Sequence, residues 1–289
     1  MKKAILKLGY SCNNNCVFCH AQPKKKYKDL TFEQINKKIT LAGKQKIGLL
    51  VLSGGEPTVR KDFWRIVDII NRQGSSVGLV TNGRMLSNKR FVGKLKDNKV
   101  HWIYLSLHGH NQFLHDSIVR AKSFRQIDIA LHNLRSAGIK PNVNVVVNKL
   151  NLHYLKDISK YISKYPIKKL KYSFIEPILD KRLVPRLDDA ARQIGEALEF
   201  CRENKIKAGY DGIPLCLMKA SDRFINLYSE GVGFVSEVYE DRYYASDFGN
   251  TKKLESCNSC KLRNDCFGIY KEYIKIYNEK DVEKIIQPK

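Results

Sequence analysis

The sequence predicts an α/β fold in which a parallel sheet with helical crossovers forms a barrel or partial barrel. Six apolar, β-rich segments recur between residues 4 and 174, and helical patterns separate them. Buried strands that alternate with helices are typical of parallel sheets. These units lack the glycine fingerprint of a doubly wound nucleotide-binding sheet, which favours the barrel.

The six strand candidates are short apolar runs bounded by polar or glycine-containing turns. They cover residues 4–8, 48–52, 76–80, 102–107, 142–147 and 170–174. Because parallel strands present their C-terminal ends at one edge of a barrel, the residues that follow them are expected to converge there. Polar or glycine-rich residues follow all six strands, at 12–19, 53–57, 81–83, 106–109, 148 and 176–177. One glycine pair is an ordinary turn signal, but six such ends on one side indicate a site.

The helices between the strands have their own start and stop signals. Thr31 with Gln34 is a capping-box pattern, and apolar residues recur on one face behind it. Segment 63–70 repeats apolar residues at i, i+3, i+4 and i+7, and Gly74 stands where a C-terminal cap is expected. Residues 123–126 form a second capping-box pattern, and Gly138 closes that helix.

The pattern changes after residue 177. A helix is expected over residues 188–203, and the segment behind it is richer in tyrosine and phenylalanine. We therefore place a domain boundary near residue 180, which divides the chain into domains 1–180 and 181–289.

The composition indicates a globular protein. The chain has 289 residues, 43% hydrophobic and 28% charged, which suffices for one large domain or a domain with a small appendage. No apolar run reaches the roughly 18–20 residues of a membrane span, and no secretory signal follows the first lysines. These observations argue against a disordered or membrane-spanning chain, and they predict a soluble, cytoplasmic protein without a membrane partner.

The net charge is +23, from 52 Lys and Arg against 29 Asp and Glu. Such a charge suits nucleic acid, an acidic peptide or a phosphorylated small molecule as a partner. The lysines are scattered along the whole chain, so solvated surface charge is the simpler interpretation. No nucleic-acid-binding module is evident, and a nucleic-acid partner is not expected.

Eight cysteines carry most of the chemical information. They stand at 12, 16, 19, 201, 216, 257, 260 and 266. Without a secretory signal, metal ligation explains them better than disulfide bonds. The first three form a C-x3-C-x2-C run, one thiolate fewer than a closed 4Fe–4S site needs. A structural zinc site with His20 as the fourth ligand is the alternative, although a neighbour on a tight loop points poorly toward the same ion.

This cysteine run resembles that of radical S-adenosylmethionine (radical SAM) enzymes, with aromatic Phe18 before the last cysteine. The stretch Gly54-Gly55-Glu56-Pro57 after the second strand adds to the resemblance, which covers roughly residues 4–180. It implies a partial (β/α)6 TIM-type barrel in which Cys12, Cys16 and Cys19 are the catalytic ligands of a 4Fe–4S cluster that binds S-adenosylmethionine. A reductant such as flavodoxin or ferredoxin would supply an electron, and a 5′-deoxyadenosyl radical would abstract hydrogen from the substrate.

Cofactor contacts are implied by the same resemblance. The implied residues are Phe18 at the adenine, Ser53, Gly54, Gly55 and Glu56 at the methionine amino group, Ser106 and His108 at the ribose or methionine part, Arg120 at the carboxylate, and Asn144 and Asn148 at the ribose hydroxyls. The residues alone also allow Arg120 to be a helix-surface charge. His115 is better explained as a structural histidine than as a catalytic one.

The C-terminal cysteines resemble the auxiliary-cluster extension called SPASM, or its shorter form, Twitch. A full SPASM pattern has seven cysteines, whereas here Tyr270 occupies the next expected position and no cysteine follows. The resemblance therefore implies one auxiliary 4Fe–4S cluster in a small C-terminal iron–sulfur cluster domain. Its implied ligands are Cys216, Cys257, Cys260 and Cys266. A zinc ribbon is the alternative for this group.

Cys201 belongs to neither of these two cysteine sets. It follows Ile194 and Leu198 at helical spacing, so a buried small hydrophobic residue is the simplest interpretation. It could instead replace one of the auxiliary ligands, or donate hydrogen from its thiol to a substrate radical.

Enzymes with such extensions often modify ribosomally made peptides, so oxidative modification or cross-linking of a peptide is the favoured function. Because the barrel pattern begins at the N-terminus, we expect any peptide-recognition module to be a separate protein, or the substrate to bind without one. The alternatives are a small-molecule dehydrogenase acting on a sugar, nucleoside or cofactor precursor, an RNA-modifying radical enzyme, and a non-catalytic iron–sulfur or zinc module.

Overall fold

The computed structural model describes residues 1–100, 102–176, 180–219, 233–245 and 250–286. Its longer strands are β1 (Lys2–Lys7), β2 (Ile47–Ser53), β3 (Ser76–Thr81), β4 (Trp102–Ser106), β5 (Asn142–Val147), β6 (Lys169–Phe174) and β7 (Ala208–Asp211). Four shorter strands follow, β8 (Phe234–Ser236), β9 (Tyr244–Ala245), β10 (Thr251–Lys252) and β11 (Ile269–Tyr270).

One nine-stranded sheet organises the chain, in the order β7-β6-β5-β4-β3-β2-β1-β8-β9. Its strands β1 to β7 pair in parallel with their sequence neighbours, and β8 pairs in parallel with the free side of β1. Only β9 is antiparallel to its neighbour. The sheet is not closed, and this parallel order with helical crossovers is that of a partial TIM-type barrel.

The helices that connect strands β1 to β7 cover one face of this sheet, and further helices stand at its edge and after β11. In chain order, the described helices are α1 (Phe32–Lys44), α2 (Phe63–Arg72), α3 (Lys89–Asp97), α4 (Gln112–Val119), α5 (Phe124–Ser136), α6 (Leu155–Ile162), α7 (Leu187–Glu203), α8 (Lys271–Tyr277) and α9 (Glu279–Ile285). Ile35 and Ile39 of α1, for example, are fully buried in one core with Leu50 and Leu52 of β2. Burial of these apolar stripes stabilises the helices, which are too short to be stable alone.

The structure confirms all six predicted strands, with ends shifted by two residues or fewer. Neither β7 nor β8 was predicted, because runs of four and three residues are too short to establish a periodicity. The predicted glycine caps are also confirmed, since Gly74 and Gly138 have left-handed φ angles of +80° and +73°.

Only one of the two predicted capping boxes is present. The Gln34 N–H donates to Thr31 Oγ1 at 3.3 Å, and the Thr31 N–H donates to Gln34 Oε1 at 2.8 Å. The prediction at Ser123 was wrong, since its hydroxyl makes no hydrogen bond within the described part of the chain. There, Asp116 Oδ1 accepts the N–H groups of Ser123 and Phe124, each at 2.9 Å. A carboxylate from the preceding helix therefore caps α5.

The opposite face of the sheet lines the barrel and is polar. Tyr104, Lys171 and Asp211 stand on this face, while the residues that alternate with them point toward the helices. Lys171 Nζ lies 2.7 Å from Asp211 Oδ2 and 5.6 Å from the ring centre of Tyr104. A lining of this kind suits a charged or hydrogen-bonding ligand better than an apolar one.

The C-terminal third contributes to two sheets. Its strands β7, β8 and β9 belong to the barrel sheet, whereas β10 and β11 form a separate antiparallel ribbon that leads into α8 and α9. Residues 177–179, which hold the predicted sixth strand tip at Pro177, lie outside the described residues. The boundary near residue 180 stays a prediction. Among the described helices, none combines the length and apolarity needed to cross a bilayer.

Candidate active site

The segment 12–19, called the cysteine loop below, follows β1 at the C-terminal edge of the sheet. Its backbone is fixed to the end of α4: the Asn15 N–H donates to Val119 O at 3.0 Å, and the Val17 N–H donates to Ile118 O at 2.9 Å. The loop is therefore held by main-chain bonds that do not depend on a bound group.

Side chains from the tip of β3 hold the other side of the loop. Asn82 Nδ2 donates to Asn13 Oδ1 at 2.7 Å. Arg84 donates to the carbonyl of Asn13 and, at 3.3 Å, to Asn14 Oδ1, while its Nε is held by Gln126 Oε1 at 2.7 Å. Arg84 was not predicted as a site residue, although it directly follows the predicted tip at residues 81–83.

The three thiols of the loop are partly exposed. Cys12 Sγ accepts the Asn14 N–H at 3.4 Å and Asn82 Nδ2 at 3.8 Å. Burial raises the pKa of Cys12, and it raises the pKa of Cys16 to about 12. Cluster ligands are thiolates, so assembly of a cluster on this loop must release protons.

Two glycines let the stretch after β2 approach residues 9–11, which lead from β1 into the cysteine loop. A Cβ on Gly54 would lie 2.2 Å from the carbonyl oxygen of Gly9, and one on Gly55 would lie 2.1 Å from that of Ser11. The close approach is used for hydrogen bonds, from Gly55 N–H to Gly9 O at 2.8 Å and from Glu56 N–H to Ser11 O at 2.9 Å. The glycines are required by backbone contact even before any ligand is considered.

The Glu56 side chain is buried and accepts several hydrogen bonds. Its carboxylate accepts the Thr58 N–H at 3.1 Å, Thr81 Oγ1 at 2.8 Å and the Asn82 N–H at 2.6 Å. Burial raises the pKa of Glu56 in spite of these donors. The carboxylate thus links the ends of β2 and β3 through hydrogen bonds. The predicted contact with the methionine amino group is therefore left to the backbone of Glu56 and of the buried Ser53.

Phe18 and His108 meet at the mouth of the barrel, with ring centres 4.7 Å apart in an edge-on arrangement. His108 Nδ1 accepts the Val146 N–H at 3.2 Å, which places the ring proton on Nε2. His115 Nδ1 in turn accepts the His108 N–H at 3.2 Å, and burial lowers the pKa of His115 to about 4. His115 is therefore a neutral residue that positions the His108 backbone, in line with the structural interpretation.

Ser106 and Asn144 stand side by side in the β4–β5 register, on the face that lines the barrel. Asn144 Oδ1 accepts Ser173 Oγ at 2.8 Å. Both residues are partly exposed and adjacent to His108, so the structure brings these predicted contacts together.

Asn148 and Arg120 have contrasting surroundings. Asn148 is fully buried, and its amide donates to Val146 O and accepts the Leu150 N–H, each at 3.0 Å. Its full burial stands against the predicted contact with a ribose, although one N–H of the amide is left over from these bonds. Arg120 is exposed, has a left-handed φ of +50° and follows Val119, which anchors the cysteine loop. Its predicted pairing with the methionine carboxylate stays a prediction, and its side chain is accessible to a ligand beside that loop.

The family model of the Radical SAM superfamily matches residues 6–162, which include the cysteine loop, the glycine stretch and strands β2 to β5. The chain belongs to the radical SAM superfamily. Membership implies a 4Fe–4S cluster and S-adenosylmethionine. A loop with three thiols, held by main-chain bonds beside a cradle that requires glycine, fits that pair of groups.

Three curated relatives match between 55% and 79% of this chain. The mycofactocin maturase MftC of Mycolicibacterium smegmatis is 30% identical over 160 residues, 55% of this chain and 41% of that protein. A probable GTP 3′,8-cyclase of Metallosphaera sedula is 27% identical over 175 residues, 59% of this chain and 55% of that protein. The Fe-coproporphyrin III synthase of Methanosarcina barkeri is 25% identical over 245 residues, 79% of this chain and 59% of that protein. The chain thus spans less than two thirds of these relatives.

Solved radical SAM structures share the fold over nearly the whole chain. anSMEcpe with bound AdoMet has a TM-score of 0.74 at 16% identity, covering 99% of this chain and 96% of that one. SuiB of Streptococcus suis bound to precursor peptide SuiA has a TM-score of 0.71 at 15% identity, covering 99% and 76%. At these identities the likeness shows the fold alone.

A second cysteine set lies outside the radical SAM match. One small apolar pocket is lined by all four of its members, Cys216, Cys257, Cys260 and Cys266. The Leu215 N–H donates to Cys266 Sγ at 3.5 Å, as amides do to cluster thiolates. Among the described residues, no three His, Cys, Asp or Glu side chains are drawn together as a single-ion site. A four-iron cluster spaces its ligands further apart than a single ion does.

Cys201 does not line this pocket. It is fully buried in α7, its hydrogen-bond partners are the hydroxyls of Ser159 and Tyr172, and burial raises the pKa of its thiol. This placement confirms the simplest interpretation, a buried residue of the helix–sheet core.

Glu237, which directly follows β8, reaches the cysteine-loop side of the barrel. It accepts the phenolic proton of Tyr10, and its Oε1 lies 2.9 Å from Lys24 Nζ. Burial raises the pKa of Tyr10, and the Glu237 carboxylate adds to the rise, so the phenol is a neutral donor. Sequence reasoning missed Glu237 because no motif surrounds it.

Proposed function

We propose that this radical SAM protein catalyses oxidative modification or cross-linking of a ribosomally made peptide. The observation that carries the proposal is the pocket lined by Cys216, Cys257, Cys260 and Cys266, because a second cluster suits reactions that remove an electron from a substrate radical. The name of the maturase relative and the precursor peptide bound to SuiB support a peptide as the substrate. The reductant we propose is flavodoxin or ferredoxin.

Cys12, Cys16 and Cys19 would hold the 4Fe–4S cluster on a loop that is already held in place. When bound, the cluster and S-adenosylmethionine supply a 5′-deoxyadenosyl radical that abstracts hydrogen from the substrate. The chain's own part is to fix these groups in one orientation and to exclude water from them.

The residues around the loop would orient S-adenosylmethionine. His108 has its Nε2 proton available for donation, because Val146 already donates to Nδ1. Phe18 packs its ring edge-on against His108 and would present a flat apolar surface to the adenine. The exposed Arg120 guanidinium would pair with the carboxylate of the methionine part.

The second cysteine set would hold an auxiliary 4Fe–4S cluster as a Twitch-like site. Four cysteines close all four iron positions, so this cluster would serve electron transfer and would not bind S-adenosylmethionine. Zinc ligation by the same cysteines would leave the site structural.

A small-molecule dehydrogenase is the second candidate function. One observation favours it: the match to the coproporphyrin synthase extends over 79% of this chain, further than the matches to the maturases. A substrate from a cofactor pathway would then replace the peptide, with the same two cysteine sites.

Iron and sulfide content after anaerobic reconstitution tests the proposal. We expect about 8 irons per chain in the wild type and about 4 in a Cys12/Cys16/Cys19→Ala variant, one 4Fe–4S cluster at each site. About 4 irons falling to none, with zinc in the remainder, would contradict it. The C-terminal site would then be structural, and the reaction would need no internal electron acceptor.

A further inference from the structure

Lys7 is the last residue of β1 and stands on the face of the sheet that lines the barrel. It pairs in register with Ser53, whereas its neighbour Leu6 is fully buried against the helices. The side chain is 9% exposed, so its ammonium lies inside the barrel, next to the strand end from which the cysteine loop starts.

The Lys7 ammonium has no hydrogen bond or ion pair with any residue that the structure describes. The carboxylates near it are engaged elsewhere: Glu237 binds Tyr10 and Lys24, and Glu176 Oε1 accepts Asn250 Nδ2 at 3.1 Å. A buried ammonium has three donors, and leaving them without acceptors is unfavourable. Lys7 Nζ is not one of the fully enclosed atoms without a partner, so its donors are available to water or to a ligand in the barrel interior.

The inner face offers positive charge for such an acceptor. Its described strand residues include Lys3, Lys7, Lys169 and Lys171 and one carboxylate, that of Asp211, which pairs with Lys171, while the carboxylates of Glu237 and Glu176 lie near Lys7 beyond the strand ends. Burial lowers the pKa of Lys7, and a bound anion would offset that effect.

We propose that Lys7 binds a carboxylate of the peptide substrate and thereby holds the peptide inside the barrel. The proposal rests on the peptide-modifying function and adds a chemical requirement to it: the segment that enters the barrel carries an Asp or Glu side chain or a free C-terminus. One ammonium, with Glu237 and Glu176 nearby, suits a single negative charge better than the double charge of a phosphate.

Ligand-observed saturation-transfer NMR on the reconstituted protein with S-adenosylmethionine tests this. One probe pair is N-acetylglutamate α-methylamide against its neutral isostere, N-acetylglutamine α-methylamide. The other pair is N-acetylalanine against N-acetylalanine methylamide. The first pair reports a side-chain carboxylate and the second a terminal one. We expect the wild type to prefer the charged member of at least one pair.

The variant Lys7→Met should bind that charged probe at least tenfold more weakly, whereas Lys7→Arg keeps the cation and should stay within about threefold of the wild type. Lys3→Met is the matched control, because it removes a lysine from the same face of the same strand four residues away and should bind as the wild type does. If Lys7→Met does not keep its iron, Lys7→Gln against Lys7→Arg makes the same comparison.

Equal binding by Lys7→Met and the wild type would overturn the proposal, and so would a wild type with no preference for either charged probe. Displacement of the carboxylate probes by inorganic phosphate at lower concentration would overturn it in favour of a phosphorylated ligand. The proposed function is tested separately, since iron content and 5′-deoxyadenosine formation without substrate do not require Lys7.

Discussion

The two cysteine sites are built in different ways. The cysteine loop lies between neighbouring parts of one barrel and is held by the end of α4, the glycine stretch and the tip of β3. The second set collects Cys216 and a later C-x2-C-x5-C segment among 3-10 turns, where the Leu215 N–H donates to Cys266 Sγ and the Cys260 and Cys266 N–H groups donate to Cys257 O and Leu262 O within the segment. The backbone of the first site is therefore tied to separate parts of the barrel, and we expect the second set to depend more on the metal to bring its ligands together.

The sharpest test of this contrast is removal of one ligand from the first site. Cys16→Ala leaves two thiols on the cysteine loop, fewer than a cluster with one open iron requires. Formation of 5′-deoxyadenosine from S-adenosylmethionine should fall to background, measured by chromatography with dithionite as reductant. Cleavage at the wild-type rate would mean that the loop does not hold the catalytic cluster.

Removal of one ligand from the second site should have a different result. Cys260→Ala should lower the iron content from about 8 to about 4 per chain while 5′-deoxyadenosine still forms without substrate. Turnover of the substrate should be lost, because the electron acceptor is gone. Full turnover in this variant would reduce the second set to a structural role.

The preformed character of the first site can be tested without metal. Gly55→Ala places a Cβ 2.1 Å from the Ser11 carbonyl, so the cysteine loop must shift, and we expect the free energy of unfolding to fall by about 1–3 kcal/mol. Gly93→Ala is the matched control. Its Cβ meets nothing within 4 Å on helix α3, and it should add about 0.5–1 kcal/mol. Urea unfolding of the metal-free proteins measures both changes, and equal midpoints would show that the close approach is not needed.

The smallest expected effect is that of a substitution at Cys201, which distinguishes a cluster ligand from a packed core residue. Cys201→Ala should lower the free energy of unfolding by about 1 kcal/mol, because it removes a buried sulfur atom from the core. The iron content should stay at the wild-type value. Loss of about 4 irons in this variant would instead make Cys201 an auxiliary ligand.

The sequence predicts the barrel well, because strands β1 to β6 and their polar tips repeat a pattern that is typical of a parallel sheet. It also predicts the catalytic loop, since three ligands within eight residues need no knowledge of the fold. The hydrogen bonds from Arg84 to the cysteine loop and the capping of α5 by Asp116 are not predictable in this way. Both depend on where one loop passes another, and neither leaves a periodic signal.

The residues missed on the inner face have a further cause. Tyr10 and Glu237 are 227 residues apart in the chain, and they meet only because β8 pairs with β1. A three-residue strand has no recognisable pattern, so neither that pairing nor the exposure of Lys7 to the barrel interior can be read from the sequence. The strand register, once known, gives both the β1–β8 pairing and the orientation of Lys7 toward the barrel interior.

The position of β8 also affects how the chain reaches its folded state. During synthesis β1 leaves the ribosome before every other strand of its sheet, yet one of its two neighbours is not made until residue 234. Until then its open edge is a row of unpaired amides and carbonyls, the kind of surface that recruits strands from other chains. Lys38 of α1 holds the end of β8 in place, because its Nζ donates to Ser236 Oγ at 2.8 Å and to Glu237 O at 2.9 Å. The exposure of that nascent edge therefore ends only when the C-terminal third has docked.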